Sequence, residues 1–257
     1  MKICGFQLDI WPGLQAQQII LRSLVTVFLA LQLGCAADSK FEGMQKAIED
    51  NSGQGEMPPP EEEIPPPDYA YEKLAWEDGT PEKVNWSHAT LEALLATSNL
   101  KNSAKDVTDF CPQYNKVTEE QKINFWAFLI STIAKFESDF NVTKRTAHES
   151  GSTDPVTQLP KYREGLLHTS YADAQIYKGC QFDWSADRDL LPSNSKKTIF
   201  NPLVSIKCGI AILESQVTST SKISVDKGGY WETLNPGSKK NKIKMIKELT
   251  KTLSFCP

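Results

Sequence analysis

Residues 118–141 read TEEQKINFWAFLISTIAKFESDFN, and this stretch decides what the chain builds. Thr118 and Gln121 have the spacing of a capping box, in which each side chain satisfies the other residue's backbone N–H at a helix start. Apolar residues then recur at helical spacing, so the sequence predicts a helix that ends near Glu137. At about 100° per residue, Glu137 falls on the side of Trp126, Ile130 and Ile133. A carboxylate therefore stands on the buried stripe. Burial disfavours the ionised form of a carboxyl, and a carboxyl that keeps its proton is what general-acid chemistry uses. The alternative at such a position is a glutamate at a frayed helix end, turned to water.

With 257 residues and 40% hydrophobic content, the chain can build one ordinary domain and carry additional segments. A net charge of −4 gives no support to nucleic-acid binding, which calls for a strongly basic domain. Cys4 and Cys35 fall in or beside an N-terminal targeting segment, which leaves Cys111, Cys180, Cys208 and Cys256 in the body. An even number of cysteines in an exported chain favours disulfides. The sequence has no Cys-x-x-Cys pair and its three histidines are scattered, so no metal site is expected. No cofactor is implied, and no oligomer is indicated.

Residues 1–35 contain one apolar run, Leu24 to Leu31, preceded by Arg22. It is too short to span a bilayer and suits the core of a secretory signal. Synthesis starting near Leu21 would leave a compact signal led by Arg22. Residues 36–85 shift to Pro, Glu, Gly and Asp, with PPPEEEIPPP at 58–67. Proline runs favour extended polyproline geometry, so this segment reads as a flexible acidic tether, with a proline-rich ligand for a partner module as the alternative.

The folded part is then expected over residues 86–257, mainly α-helical. Ser87 reads as the cap of a helix carrying Leu91, Leu94, Leu95 and Leu100. Residues 142–163 read as a long loop following the candidate acid. Asn201-Pro202 opens another helix, with Leu203, Ile206, Ile210, Leu213 and Val217 lining one face. A last helix over about 239–254 turns Ile243, Ile246, Leu249 and Leu253 inward and Lys240, Lys244, Lys247 and Lys251 outward. Asp173, three residues after Ser170, reads as a capping partner before it reads as an acid.

Glu137-Ser138-Asp139-Phe140-Asn141 resembles the Glu-Ser-x-Phe-Asn signature of the lysozyme-like lytic transglycosylase superfamily, in which that glutamate is the catalytic acid. Residues 163–171, REGLLHTSY, resemble the superfamily's Gly-Leu-Leu-Gln segment followed by Ser-Tyr, a turn that walls the sugar cleft. His168 departs from the pattern, standing where Gln is usual. Residues 228–234, GGYWETL, fall where many relatives carry Ala-Tyr-Asn before their last helices. Leu33-Gly34-Cys35 resembles the end of a bacterial lipoprotein signal, with plain cleavage near Ala36-Ala37 as the alternative.

The resemblance runs from Cys111 to Cys256. It implies a lysozyme-like helical domain with a sugar-binding cleft, Glu137 as the acid, and Glu164, Gly165, Leu166, His168, Tyr171 and Tyr230 against the sugar. Trp231 is core or sugar platform. Cys180 with Cys208 and Cys111 with Cys256 is the preferred pairing among three. The implied activity is cleavage of the β-1,4 bond from N-acetylmuramic acid to N-acetylglucosamine in peptidoglycan by one glutamate. Unassigned Glu149, Asp154, Glu164 and Asp183 leave a hydrolytic lysozyme open. Glu164 beside His168 would favour a deacetylated strand. A wall-binding lipoprotein that has lost activity is the reading from another class. The implied setting is exported, as an outer-membrane lipoprotein anchored through Cys35, periplasmic or secreted, with peptidoglycan strands as partner.

Overall fold

The computed structural model describes residues 71–257 apart from 97, 98 and 149. The expected signal segment with Cys35, most of the tether and Glu149 lie outside the described residues. The described chain is mainly helical. In order it forms α1 (Pro81–Leu95), α2 (Leu100–Ser103), α3 (Val107–Phe110), α4 (Glu119–Ser138), β1 (Arg145–Ala147), β2 (Tyr162–Glu164), α5 (Asp173–Ile176), α6 (Trp184–Asp187), α7 (Pro202–Thr220) and α8 (Ile243–Thr250).

The capping box forms at the start of α4. The Thr118 hydroxyl accepts from the Gln121 N–H at 3.3 Å, and the Gln121 side chain accepts from the Thr118 N–H at 3.0 Å. From Ile123 to Ala134 every residue of α4 is buried, so this helix is covered on all sides and not along a single stripe. Helices α1, α2 and α8 pack around it. Burial on all sides takes in three polar side chains: Thr132 donates to the Phe128 carbonyl at 2.8 Å within the helix, while Asn124 and Ser131 find partners outside it.

The segment before α1 supplies them. The Glu72 N–H donates to the Asn124 carbonyl oxygen at 2.8 Å and the Asn124 amide donates to the Glu72 carbonyl at 2.9 Å, while the Ala75 N–H donates to the Ser131 hydroxyl at 2.9 Å. Leu74 and Trp76, 2% and 1% exposed, fill the space between. This moves the expected edge of the folded part from residue 86 back to at least residue 71. Helix α1 likewise begins earlier than expected, with Thr80 at its cap position and Pro81 in the first turn, where a missing N–H costs nothing. Ser87 is no cap but a buried link, accepting from the Trp76 indole N–H at 2.9 Å and donating to Glu77 at 2.7 Å. Leu95 points outward.

Asn201 caps α7 as expected, accepting from the Leu203 N–H at 2.9 Å with Pro202 at the start. Ile206, Ile210, Leu213 and Val217 face the core, but Leu203, in the first turn, is 39% exposed. Helix α8 is shorter than expected, because residues 239–242 belong to the loop before it. Two disulfides, Cys111–Cys256 and Cys180–Cys208, tie α3 to the C-terminus and the loop after α5 to α7. Such bridges persist in oxidising compartments and fit an exported protein. Among the described residues no helix is long and apolar enough to cross a membrane.

The expected loop 142–163 is a hairpin. β1 and β2 pair antiparallel with Arg145 opposite Glu164 and Thr146 opposite Arg163. Asp154 stabilises the loop beyond the strands, its carboxylate accepting from the N–H groups of Val156 at 2.9 Å and Ala172 at 3.1 Å.

Candidate active site

Helix α4 ends at Ser138, and the residues after it explain the motif Glu-Ser-Asp-Phe-Asn in physical terms. Asp139 and Phe140 both take left-handed backbone, with φ of 52° and 63°, which turns the chain sharply out of the helix. The Ser138 hydroxyl donates to the Leu166 carbonyl at 2.8 Å. Asn141 accepts from the Thr143 N–H at 2.9 Å and so starts the run into β1. The motif thus ties the end of α4 to the turn at 165–168.

That turn is pinned on every side. Glu164 and Thr169 exchange backbone hydrogen bonds of 2.7 and 2.9 Å at its base. The Leu167 N–H donates to the Ser205 hydroxyl at 3.2 Å, and the Leu167 carbonyl accepts from the Trp231 indole at 2.9 Å. Gly165 has φ +75°, and a Cβ there would lie 2.5 Å from the Ile199 carbonyl oxygen. Gly209 of α7 leaves room for Leu167, whose Cδ1 would be 2.3 Å from an added Cβ. Gly165→Ala combines backbone strain with a backbone clash and is expected to cost about 2–4 kcal/mol, read as a lower denaturant midpoint. An unchanged midpoint would show that the turn relaxes freely.

The turn presents His168, itself in left-handed backbone with φ 52°, to the end of α4. Its Nδ1 lies 2.9 Å from Glu137 Oε2, and both side chains are 9% exposed. The other oxygen, Oε1, accepts from the Thr233 hydroxyl at 2.8 Å. Thr233 sits in the 3₁₀ turn Glu232–Leu234, directly after the buried Trp231. The carboxyl of Glu137 is therefore fixed at both oxygens by groups from two separate segments. It borders a cleft of about 360 Å³, whose walls include Thr146, Arg163, His168, Glu232 and Thr233. His168 Nε2 is buried and has no hydrogen-bond partner among the described residues.

Of the residues expected at the site, Glu137 and His168 line this cleft together. Glu164 is 5% exposed and ion-paired to Arg145 at 2.8 Å across the hairpin, outside the lining. Burial raises its carboxyl above the usual range, opposed by the Arg145 and Lys197 charges. Gly165 and Leu166 act from behind, as the backbone of the turn. Tyr171 is buried among Phe182 and Trp184 and donates to Asp187 at 2.8 Å. Tyr230 donates to Asp173, and burial, then the Asp173 charge, push its hydroxyl well above the ordinary range, so it stays a donor. Its carbonyl accepts from Arg163 at 3.2 Å, which places Tyr230 beneath a residue of the wall. Trp231 is core. Asp173 accepts from the Ser170 N–H at 2.7 Å, but Ser170 does not cap the helix as its spacing suggested, because α5 starts at Asp173 with Ala172 in the cap position. Arg163 and Thr233 fall inside the segments 163–171 and 228–234 but at positions to which the resemblance assigns no role, and Thr146 lies in no motif.

A larger groove, about 770 Å³, runs between α1 and α7. Its acids, Glu92 and Glu214, are not buried, and it contains none of the expected site residues. Of the two, the smaller cleft is the candidate site because it holds a carboxyl fixed at both oxygens.

The chain matches no family model and no curated protein. Solved structures of a Bdellovibrio protein, Bd0314 DslA, are similar to it. The wild-type form 2 matches with a TM-score of 0.60 at 27% identity, over 72% of this chain and 98% of that one. Two different mutants of the same protein, each with a glutamate changed to glutamine, match with TM-scores of 0.59 at 27% identity, over 72% of this chain and 97% of theirs.

Proposed function

We propose that this chain cleaves peptidoglycan glycan strands at the bond from N-acetylmuramic acid to N-acetylglucosamine, with Glu137 as the catalytic acid. The observation that carries the reading is the carboxyl of the motif glutamate, fixed between His168 and Thr233 beside a cleft. As the bond from sugar carbon to bridging oxygen breaks, Glu137 delivers its proton to that oxygen while positive charge develops on the carbon. The imidazole can accept from the carboxylic acid or donate to the carboxylate, so the same contact holds Glu137 before and after the proton leaves. The Thr233 hydroxyl holds the other oxygen.

A lytic transglycosylase route needs no second acid. The muramic acid's own hydroxyl attacks the cationic carbon, an anhydro ring closes, and the hydroxyl proton returns to Glu137. Among the described residues the other carboxylate lining the cleft is Glu232, held 3.1 Å from Lys240, and Glu164 is sealed against Arg145. Both facts favour the single-acid route. The hydrolytic alternative, with water as nucleophile and a preference for deacetylated strands, is the second reading; a water nucleophile calls for a second carboxylate. In the similar Bdellovibrio protein two separate glutamates were changed to glutamine. We place the protein outside the cytoplasm, as an outer-membrane lipoprotein anchored through Cys35.

Digestion of purified sacculi, native and chemically deacetylated, with mass spectrometry of the released fragments tests this. Anhydro ends are expected. Reducing ends would replace transglycosylation by hydrolysis, and no release from either substrate would remove the enzymatic reading.

A further inference from the structure

The cleft beside Glu137 carries its charge unevenly. Arg163, Lys239, Lys240 and Lys242 line it, against Glu137 and Glu232 as its acids. Glu232 engages Lys240 at 3.1 Å. Arg163 has only neutral partners among the described residues: the Tyr230 carbonyl at 3.2 Å and the Tyr230 ring at 5.4 Å. Lys239 and Lys242 make no ion pair with a described carboxylate.

These lysines sit on a loop that is built to hold shape. Asn235 accepts from the Gly237 N–H at 2.8 Å, Asn241 donates to the Pro236 carbonyl at 3.1 Å and accepts from the Ile243 N–H at 2.8 Å. The Lys242 N–H donates to the Thr233 carbonyl at 2.9 Å, so the loop is fixed to the same residue that holds Glu137. The helix expected over about 239–254 turns Lys240 to a solvated face, with no role for Lys239 and Lys242. The actual loop gathers them at one wall.

Cations that outnumber the acids of a concave site attract anions and focus the field on whatever enters. A second, independent feature of the cleft also calls for a ligand: the buried Nε2 of His168, which has nothing to bond to among the described residues. An orphaned buried polar atom is costly unless a bound group satisfies it.

We propose that the cleft selects its glycan by negative charge, with carboxylates on the strand received by Arg163, Lys239 and Lys242. The inference rests on the peptidoglycan reading for the identity of the strand. Such carboxylates come from two sources, the lactyl ether of muramic acid once its peptide has been removed, or the stem peptide itself. A neutral amino-sugar polymer offers neither.

The test is binding, read without cleavage. The exported chain carrying Glu137→Gln is pelleted with insoluble peptidoglycan that is native, methyl-esterified at its carboxylates, or stripped of stem peptides by an amidase. Retention on native wall is expected to exceed that on esterified wall about tenfold at low salt, the size of two or three partly solvated charge contacts, and to fall as salt is added. The double variant Lys239→Gln, Lys242→Gln should lose that preference while its circular dichroism stays unchanged. Stripped wall bound more tightly than native wall assigns the contact to the lactyl carboxylate, which its amide link to the stem masks in native wall; stripped wall bound like esterified wall assigns it to the stem. Equal retention of native, esterified and stripped wall, or a double variant that keeps the preference, overturns the inference. If the unsubstituted protein releases no fragments yet the charge preference holds, the catalytic reading fails and the inference stands.

Discussion

Glu137→Gln is expected to lower fragment release from peptidoglycan by on the order of 10²–10⁴-fold, the range over which a positioned proton donor contributes. The substitution is nearly isosteric. A glutamine can still accept from Thr233 and donate to His168 Nδ1, the two contacts that fix the glutamate at 2.8 and 2.9 Å. What it lacks is a proton to give to the bridging oxygen. Stability should therefore stay within about 1 kcal/mol of the parent, since no buried group is left unpaired. Rate and stability separate cleanly in this variant. A variant that unfolds early would say that Glu137 is structural, and one that keeps a tenth or more of the activity would move the acid elsewhere.

Removing the Cys111–Cys256 bridge by Cys111→Ser with Cys256→Ser is expected to produce the largest loss of stability. The two cysteines are 145 residues apart, and closing a loop of that size is worth about 5 kcal/mol in the chain-entropy model. The Cys180–Cys208 bridge, 28 residues apart, is worth about 3.6 kcal/mol on the same scale. Domains are stable by only about 5–15 kcal/mol, so the first loss approaches the whole of a modest stability. The damage also has a route to the site. The bridge anchors the chain after α8, α8 packs on α3 and α4, and the loop before α8 is bonded to Thr233 through Lys242. Denaturant midpoints under oxidising and reducing conditions measure the effect. Equal midpoints would show that α8 and its contacts hold the C-terminus without the bridge.

Much of the frame was legible because its signals are local. The Thr118–Gln121 box, the apolar run behind it and the Asn201-Pro202 start each declare a helix within a few residues. Glu137 was legible from its motif, and His168 stood out as a departure from the Gly-Leu-Leu-Gln segment. Its meaning was not legible, since a contact between residues 31 apart needs the turn at 165–168 to bring them together. Glu164 was read as a wall residue because its partner Arg145 lies across a hairpin that the composition of 142–163 disguised as a loop. Residues 71–80 were lost to the tether for a similar reason. Their proline-rich, acidic surroundings hide Leu74 and Trp76, and the partners that hold them, Asn124 and Ser131, look in the sequence like interruptions of an apolar helix. Tyr171 and Trp231 illustrate the remaining ambiguity: an aromatic near a cleft motif packs inward as readily as it faces a ligand, and both pack inward here.

The most direct test is a crystal structure of the Glu137→Gln protein soaked with a muramic-acid-containing tetrasaccharide. The glycosidic oxygen is expected within about 3 Å of the residue-137 amide, the reach of proton transfer, with a strand carboxylate toward Lys239 and Lys242. A strand seated in the groove between α1 and α7, or in the cleft with its bridging oxygen turned away from residue 137, would contradict the assignment of Glu137 as the acid.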